Sequence, residues 1–250
     1  MIDLTGKLIL VTGASSGLGR TISQKASLNG ARIILLGRNQ FRLEETFNLL
    51  KGEGHSYFSV EITDFDLLKK TIQLAVERSG PIDGFVHSAG IDKTIPFRLS
   101  KPSVFDEIFR VNVFAGFELA RIISQKNYVS SNGASYVFLS SVLGRLGASG
   151  KTAYSASKSA LLSGIKSMAL ELAEKRIRCN CVLPGVVATD MVNRLFNSMT
   201  IESKNKILKM HPLGIGAPND VASLVTFLLS DEAKWITGAE YIIDGGYSIH

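Results

Sequence analysis

The feature that most constrains this chain is a glycine-rich stretch close to its start. An apolar run, residues 8–11, leads into Thr12-Gly13-Ala14-Ser15-Ser16-Gly17-Leu18-Gly19, and a helix-like segment, residues 20–28, follows. Glycine lets the backbone turn tightly and approach a pyrophosphate, whose charge is met by the N–H groups that open the helix. The spacing Gly-x-x-x-Gly-x-Gly is not the commoner Gly-x-Gly-x-x-Gly. The stretch predicts a dinucleotide site, although a glycine turn without a ligand is also compatible with it.

Apolar, β-branched runs alternate with helix-like segments along the whole chain, without a linker, charge block or internal repeat. Continuous apolar strands separated by helices are typical of a parallel sheet that is covered on both faces. We therefore predict an α/β fold in a single domain over residues 1–250, a Rossmann-type doubly wound parallel sheet of about seven strands with helices on both faces. The predicted strands are residues 8–12, 32–36, 56–60, 84–87, 135–139, 178–183 and 241–243. The predicted helices are residues 19–28, 41–50, 65–78, 103–128, 152–175 and 219–229.

Residues 190–211 do not follow this alternation, because apolar side chains there mix with lysines and arginines. A long insertion beside the carboxyl edge of a sheet is where substrate lids occur. The segment is therefore interpreted either as a substrate lid or as two surface helices that pack on the body of the domain. Its apolar residues are Met191, Leu195, Phe196, Met199, Ile207, Leu208 and Met210.

Charge and cysteine content exclude several classes of protein. The net charge is +6, but the 28 lysines and arginines are scattered, which argues against a nucleic-acid partner. Cys179 and Cys181 are the only cysteines and share one face of a strand-like run, so we expect buried thiols in a reducing compartment and no metal site. No apolar run approaches the roughly 20 residues that cross a bilayer, and residues 1–7 lack a signal-peptide pattern. We expect a cytoplasmic protein without a membrane partner.

Tyr154 and Lys158 stand four residues apart at the start of a helix-like run, so they share one helix face. A phenol has an ordinary pKa of about 10 and is a poor acid–base catalyst near neutrality. A neighbouring ammonium favours the phenolate and lowers that pKa, which suits alcohol–carbonyl chemistry. Such a pair also arises by chance on helix surfaces, and its companions in the sequence are needed to interpret it.

Three companions support a reactive site. Ser140 and Ser141 end the fifth predicted strand, where a hydroxyl can hold a substrate oxygen in the crevice of an open α/β sheet. Asn112 is polar within an otherwise apolar helix-like stretch, and a buried amide there needs partners, such as a local helix bend that holds water. Residues 183–189 follow the sixth strand and can wrap a nicotinamide carboxamide.

These motifs, taken in order, make the sequence resemble the short-chain dehydrogenase/reductase family from residue 4 to residue 247. Residues 12–19 resemble the family's cofactor loop, and His87-Ser88-Ala89-Gly90 resembles its structural Asn-Ala-Gly motif. Pro184-Gly185 and the closing residues 236–246 match as well. The family's catalytic tetrad is matched by Asn112, Ser141, Tyr154 and Lys158.

The resemblance implies an oxidoreductase in which hydride passes between a nicotinamide and a substrate carbon. It implies that Tyr154 is the general acid–base and that Ser141 polarises the carbonyl. Lys158 is implied to lower the pKa of Tyr154 and to bind the nicotinamide ribose, and Asn112 to hold a water on the proton path. The implied cofactor contacts are Gly13, Ser15, Ser16, Gly17, Leu18, Gly19, Arg38, Glu61, Ile62, Ser88, Ala89, Gly90, Tyr154, Lys158, Pro184, Gly185, Val187 and Thr189.

The end of the second predicted strand bears on the choice of dinucleotide. An acidic residue there accepts the adenosine ribose hydroxyls of NAD and repels a 2′-phosphate. This chain has no acid at that place, but Gly37 leaves room and Arg38 offers a bidentate phosphate partner. We therefore predict NADP(H) in preference to NAD(H). A solvated loop charge is the alternative interpretation of Arg38, and Ser16 stands where many NADP-using relatives have a second basic residue.

Two residues depart from the family pattern. Ser88 stands where asparagine is usual, and a hydroxyl offers fewer hydrogen bonds than an amide. Glu61 stands where an aspartate commonly contacts the adenine amino group. Both departures concern cofactor affinity and leave the reaction type unchanged.

The nearest pattern within the family is that of the 3-oxoacyl-[acyl-carrier-protein] reductases. Lys175 and Arg176 fall near one of the basic positions at which those relatives dock the acidic carrier, but residues 131–133 lack the other expected arginine. The substrate is therefore either an acyl thioester, with the acyl carrier protein as a partner, or a free ketone, sugar or polyol. Arg145 lies either near the cleft, where it could meet an anionic substrate, or on the surface.

Two expectations concern the protein as a whole. Residues 103–128, the helix after Tyr154 and residues 241–243 match the surfaces through which family members form homotetramers. A catalytically idle NADP-binding sensor is the competing class of function, although such a protein is expected to lack a member of the tetrad.

Overall fold

The computed structural model describes residues 2–197 and 199–249, with the side chains of residues 191, 194 and 195 outside the description. Two residues of the predicted apolar set, Met191 and Leu195, therefore have described backbones only, and Ser198 of the predicted lid lies outside the described residues.

Seven parallel strands form one sheet in the order β3-β2-β1-β4-β5-β6-β7. The order reverses between β1 and β4, which is the switch point where open α/β sheets bind ligands. The strands are β1 Leu8–Thr12, β2 Arg32–Gly37, β3 Ser56–Ser59, β4 Gly84–His87, β5 Ala134–Leu139, β6 Ile177–Pro184 and β7 Glu240–Ile243.

Helices cover both faces of the sheet. They are α1 Gly17–Leu28, α2 Gln40–Phe47, α3 Phe65–Ser79, α4 Pro102–Phe109, α5 Ala115–Ile123, α6 Thr152–Leu172, α7 Asp190–Asn197, α8 Ile201–Lys209 and α9 Pro218–Leu229. Side chains alternate along a strand, so Leu8 and Leu10 of β1 pack with α3, α5 and α6, whereas Ile9 and Val11 pack with α1, α2 and α9. The predicted fold class is confirmed, and every predicted strand lies within one or two residues of an observed one.

The predicted helix over residues 103–128 is wrong as a single helix. It is divided into α4 and α5 by a π-helical segment, Arg110–Phe114, and α5 ends at Ile123. The wider turn accompanies Asn112, whose side chain bonds to the chain after β4 and is fully buried. Such a contact, between residues 21 positions apart, leaves no periodic signal in the sequence.

Smaller differences have local causes. The predicted helix over residues 152–175 ends at Leu172 and passes through a 3₁₀ turn to Arg176, whose φ of 56° is left-handed. Residues 190–211 contain the two helices α7 and α8. No helix in the described part of the chain is both long and apolar enough to cross a membrane.

The predicted burial of the two cysteines is confirmed. Cys179 and Cys181 are free thiols, fully buried on the same face of β6. Burial raises the pKa of both thiols above the ordinary value, that of Cys179 to about 12. Within residues 2–197 and 199–249, three or more metal-binding side chains nowhere gather into a cluster.

Candidate active site

The glycine loop between β1 and α1 is shaped as an anion cradle. Gly13 and Gly17 adopt left-handed φ angles of 65° and 53°. A Cβ on Gly13 would lie 2.9 Å from the backbone of Ala89, whereas one on Gly17 would meet nothing nearer than Thr189, at 3.8 Å. The loop is thus pressed against the chain after β4 on one side and open at the N-terminus of α1. Ser16 caps that helix without a side-chain hydrogen bond, so the Ser16 side chain leaves the first N–H groups of α1 available to a ligand.

Thr12 and His87 connect the glycine loop to the chain after β4. The sequence analysis placed the two residues in the cofactor-loop and structural motifs but predicted no contact between them. The Thr12 hydroxyl oxygen accepts hydrogen bonds from the backbone N–H groups of Ser88 and Ala89, both at 3.1 Å. Its own proton then goes to Nδ1 of His87, also at 3.1 Å, which places the ring proton of a neutral His87 on Nε2. The only sequence signal was the polar pair at the ends of two adjacent apolar strands.

His87 is fully buried, and its Nε2 meets no described atom at good hydrogen-bond geometry. The backbone oxygens of Asn112 and Val111 lie near enough to the ring to favour its charged form in part. Burial lowers the pKa of His87 to about 3, and the positive charge of Lys158 acts in the same direction. The imidazole fits because Gly116 lies beneath it, where a Cβ would be only 2.6 Å from the ring carbon Cδ2. Ser88, the departure from the family pattern, takes part in the loop through its backbone N–H.

Lys158 is buried in the first turns of α6. Its ammonium donates to the backbone oxygen of Leu139 at 2.7 Å and lies 5.7 Å from the ring centroid of Tyr154. Burial lowers the pKa of Lys158 to about 8, because a charged ammonium loses solvation there. The predicted proximity of Tyr154 and Lys158 on one helix face is therefore present in the structure.

Tyr154 itself differs from the sequence expectation in one respect. Burial raises the pKa of its phenol above the ordinary value, the carboxylate of Asp92 raises it further, and a hydrogen bond with Ser141 opposes both. The lowered pKa predicted from the Tyr-x-x-x-Lys spacing is thus wrong for the protein alone. The reason is that desolvation of the phenolate outweighs an ammonium that faces the ring and donates to a backbone oxygen.

Ser141 and Ser140 have different surroundings. Ser141 follows β5 directly, caps the short turn Val142–Gly144 by accepting from the N–H of Leu143 at 3.2 Å, and meets Tyr154. The Ser140 hydroxyl donates to the backbone oxygen of Lys158 at 2.8 Å and is occupied there. Of the two candidate hydroxyls, Ser141 is therefore the one beside the phenol.

Asn112 joins the π-helical segment to the rest of the site. Its Oδ1 accepts from the N–H of Ile91 at 2.8 Å, and its Nδ2 donates to the backbone oxygen of Ile91 and to the hydroxyl of Ser157, both at 3.0 Å. The predicted need for partners is met by protein groups, and both amide protons are used. Gly90, also in the predicted set, lies between the two elements, since its Cβ would be 3.4 Å from Oδ1 of Asn112.

The predicted adenosine end lies beyond β2 and β3. The Arg38 guanidinium is 3.5 Å from Oε2 of Glu61, and both side chains are largely exposed, at 71% and 42%. The other oxygen of Glu61 accepts from the backbone N–H and the hydroxyl of Thr63. Ile62, which lies between Glu61 and Thr63 in the chain, is buried in the core. The two predicted cofactor residues thus face each other across the end of the sheet.

The segment after β6 closes the opposite side of the cradle. Thr189 lies against Gly17, and Val187 pairs with Gly216 in an isolated bridge. Gly185 is tightly placed, because its Cβ would be 2.8 Å from that of Asp244. The remaining predicted loop residues belong to the same elements: Leu18 and Gly19 stand in the first turn of α1, and Pro184 ends β6. The backbone oxygen of Ser15 accepts from Arg20 at 2.8 Å.

Arg145 and Lys175, two basic residues considered for substrate or partner binding, contact other protein groups. Arg145 bonds to the carboxylate of Glu240 on β7, with Nε at 2.8 Å, and Lys166 pairs with the same carboxylate. Of the two interpretations of Arg145, the structure therefore favours a surface ion pair. Lys175 donates to the backbone oxygen of Ser124 at 3.1 Å.

The fold and the site together define a nucleotide-binding α/β protein in which a tyrosine, a lysine, a serine and a buried asparagine converge beside a glycine loop. A profile of the family described as Enoyl-(Acyl carrier protein) reductase matches residues 13–248. A 3-oxoacyl-[acyl-carrier-protein] reductase FabG of Rickettsia felis is 34% identical over 248 residues, which cover 98% of each chain. An L-rhamnose 1-dehydrogenase (NAD(P)(+)) of Azotobacter vinelandii is 29% identical, with 99% of this chain and 98% of that protein covered.

A solved structure is similar to this chain over almost its whole length. A protein from Sinorhizobium meliloti 1021 described as a short-chain alcohol dehydrogenase superposes with a TM-score of 0.91 at 28% identity, covering 98% of both chains. This chain belongs to the short-chain dehydrogenase/reductase family and is an oxidoreductase of that family.

Proposed function

We propose that this protein is an NADP(H)-dependent reductase that transfers hydride between the nicotinamide and the carbonyl carbon of a 3-oxoacyl thioester. The observation that carries the proposal is the convergence of Ser141, Tyr154 and Lys158 next to a glycine cradle that remains open at the N-terminus of α1. When bound, the cofactor supplies the hydride or accepts it. The residues of this chain bind and orient the cofactor and the substrate, and they transfer the proton.

In the proposed reaction Tyr154 donates its phenolic proton to the carbonyl oxygen during reduction and accepts it during oxidation. Ser141, which already interacts with the phenol, donates a hydrogen bond to the same oxygen and stabilises its developing charge. Lys158 holds the ribose and restores the proton of Tyr154. Asn112 keeps the segment after β4 in place, and a water on the proton path would bind to its remaining lone pair or to backbone oxygens of the π-helical segment.

The cofactor is proposed to lie along the predicted contact residues, with its pyrophosphate at residues 13–19, its carboxamide at residues 184–189 and its adenosine end at Arg38 and Glu61. Support for the phosphorylated dinucleotide is the absence of an acid at the end of β2 together with the exposed guanidinium of Arg38.

Replacing Arg38 by glutamine tests the choice of dinucleotide. Loss of a charge-assisted hydrogen bond of about 1.5–3 kcal/mol is expected to raise the KM for NADPH by roughly 10- to 100-fold and to leave that for NADH nearly unchanged. Arg42→Gln is the matched control, because Arg42 is a neighbouring arginine 3.6 Å from Asp190. A wild-type KM for NADH below that for NADPH contradicts NADP(H) preference.

The acyl thioester is proposed from the names of the relatives, since the FabG protein is a 3-oxoacyl-[acyl-carrier-protein] reductase. Lys175 and Arg176 are the proposed contacts for an acidic carrier protein. A free sugar or polyol is the second candidate substrate, favoured by the similarity to the rhamnose dehydrogenase. In either case the segment over residues 190–211 is the proposed lid, because α8 has no buried residue and lies next to the proposed carboxamide loop.

Oxidation of NADPH, followed by absorbance, decides between the two substrates. Acetoacetyl thioester is compared with a panel of ketones and sugars, with NADH as the parallel cofactor. Rapid turnover of the thioester, faster still on an acyl carrier, is the expected result and assigns a docking role to Lys175 and Arg176. Turnover of another carbonyl without the thioester contradicts the acyl substrate and makes residues 190–211 the first place to look for specificity.

We also propose a homotetramer in the cytoplasm. Apolar side chains near the β7 edge are exposed in the single chain, with Leu170 at 81% and Trp235 at 97%, and the two free thiols suit a reducing compartment. Light scattering at micromolar protein concentration is expected to give four times the mass of the chain. A monomer contradicts this part of the proposal.

A further inference from the structure

The segment that follows β4 is tied to the candidate site at consecutive residues. A Cβ on Gly90 would lie 3.5 Å from the ammonium of Lys158, so this residue packs directly against the lysine. Both backbone polar groups of Ile91 bond to the side chain of Asn112. The position of the next residue is therefore determined by two members of the tetrad.

That next residue is Asp92, and its carboxylate bonds through Oδ2 to the ammonium of Lys151. The side chains of Asp92 and Lys151 are only 18% and 11% exposed. Lys151 stands immediately before α6, and Tyr154 follows within its first turn. The ion pair thus fastens the segment after β4 to the helix turn that carries the phenol.

The charge of Asp92 is only partly compensated. One oxygen is paired with Lys151, whereas Oδ1 is buried and hydrogen-bonds to no described atom. A carboxylate in a weakly solvated place acts strongly on its neighbours. In agreement with this, Asp92 is the charged group that raises the pKa of Tyr154, and it also favours the ammonium of Lys158.

The other groups around the phenol act differently. The Ser141 hydroxyl, from the turn after β5, favours the phenolate, and Lys158 lies over the ring face. On the neighbouring α4, Glu107 pairs with Lys93, and both of those side chains are considerably exposed, at 52% and 38%. Asp92 is therefore the partly buried negative charge beside Tyr154 in the described part of the site.

We propose that Asp92, a partly buried carboxylate fixed by its ion pair with Lys151 at the start of α6, is a positioning residue that favours the proton-donating form of Tyr154. The reason is that ionisation of the phenol creates a second negative charge beside the first. Lys151 attenuates this effect, because it compensates part of the charge of Asp92. The inference rests on the proposed role of Tyr154 as general acid–base.

The test compares the dependence of kcat/KM on pH for carbonyl reduction and alcohol oxidation. Asp92→Asn is expected to move the midpoints of both profiles toward acid by about one pH unit. An uncompensated unit charge several ångströms away would shift them by roughly two units at an effective dielectric near 20, and the charge of Lys151 cancels part of that effect. Lys151→Met is expected to move them toward alkali, because it leaves Asp92 uncompensated. A general loosening of the segment after β4 would affect the two variants alike, so midpoint shifts of opposite sign in Asp92→Asn and Lys151→Met indicate a charge effect.

Glu107→Gln serves as the control, since it removes a nearby carboxylate that is exposed, and it is expected to leave the midpoints where they are. If Asp92→Asn does not fold, Lys151→Met decides alone: an alkaline shift supports the inference, and no shift or an acid shift overturns it. An active Asp92→Asn enzyme with unchanged midpoints overturns the inference and leaves the proposed function intact. If the wild type turns over no carbonyl, the proposed function fails. The effect of Asp92 is then measured by the pH dependence of the Tyr154 phenolate absorbance in the cofactor complex, with Tyr154→Phe as the blank. Asp92→Asn is again expected to shift the midpoint toward acid and Lys151→Met toward alkali.

Discussion

Replacing Tyr154 by phenylalanine is expected to lower kcat by about 10³-fold, in the middle of the range for loss of a general acid–base. The substitution removes the phenol oxygen, which interacts with Ser141, and leaves the ring beneath Lys158 in place. Binding of NADPH, measured by fluorescence titration, is expected to change little, because the glycine loop and Arg38 are untouched.

Tyr136→Phe is the matched control for this experiment. Tyr136 is a fully buried tyrosine in β5 whose hydroxyl bonds to Ser124 at 3.2 Å, away from the glycine loop. Its loss is expected to cost about 1 kcal/mol of stability and to leave kcat unchanged. If Tyr154→Phe retained wild-type turnover, Tyr154 would not be the acid–base. If the wild type bound NADPH without any turnover, an idle NADP-binding sensor would become the better interpretation.

Acid is expected to destabilise the protein through His87. Its pKa is about 3 in the folded protein, against an ordinary value of about 6.5, because the buried ring cannot be charged without losing solvation. The unfolded chain therefore binds a proton that the folded chain does not bind, and stability falls as the pH falls from about 6.5 toward 3. Between pH 7 and pH 4.5 this residue alone is expected to remove roughly 2–3 kcal/mol from the free energy of unfolding.

Urea unfolding of the wild type and of His87→Asn, at a constant protein concentration, measures this contribution. The variant is expected to be less stable at pH 7, since it loses the contacts of the ring with Phe85 and Phe138. Its stability is expected to depend much less on pH in the range from 7 to 4.5. His55→Asn, which replaces a half-buried histidine at the sheet edge, is the control and is expected to keep the acid sensitivity. Equal slopes for wild type and His87→Asn contradict a neutral buried His87.

Much of the fold follows from short-range patterns in the sequence. Strands such as Leu8–Thr12 and Gly84–His87 coincide with the predicted residues, because a strand buried on both faces must be continuously apolar. The glycine loop and the Tyr154–Lys158 pair were predicted as well, since turn geometry and helical spacing depend on residues that are close in the chain. The family resemblance then assigned roles that spacing alone left open.

Contacts between distant residues could not be predicted in this way. The bond between Thr12 and His87 joins residues 75 apart, that between Asp92 and Lys151 joins residues 59 apart, and Arg145 meets Glu240 across 95 residues. No periodicity marks such partners, because each is chosen by the packing of strands and helices. The polar Asn112 indicated a local helix bend, but its partner Ile91 and the division of residues 103–128 into two helices could not be predicted.

The sequence by itself determined the order of strands and helices along the chain and the two-sided burial of the sheet, because these depend on local hydrophobicity and turn residues. The candidate reactive side chains followed from the family resemblance. Only the tertiary structure decided the protonation of those side chains. Burial raises the pKa of Tyr154, lowers that of Lys158 to about 8 and lowers that of His87 to about 3. Desolvation and neighbouring charge set these values, and both depend on which distant segments the fold brings around each group.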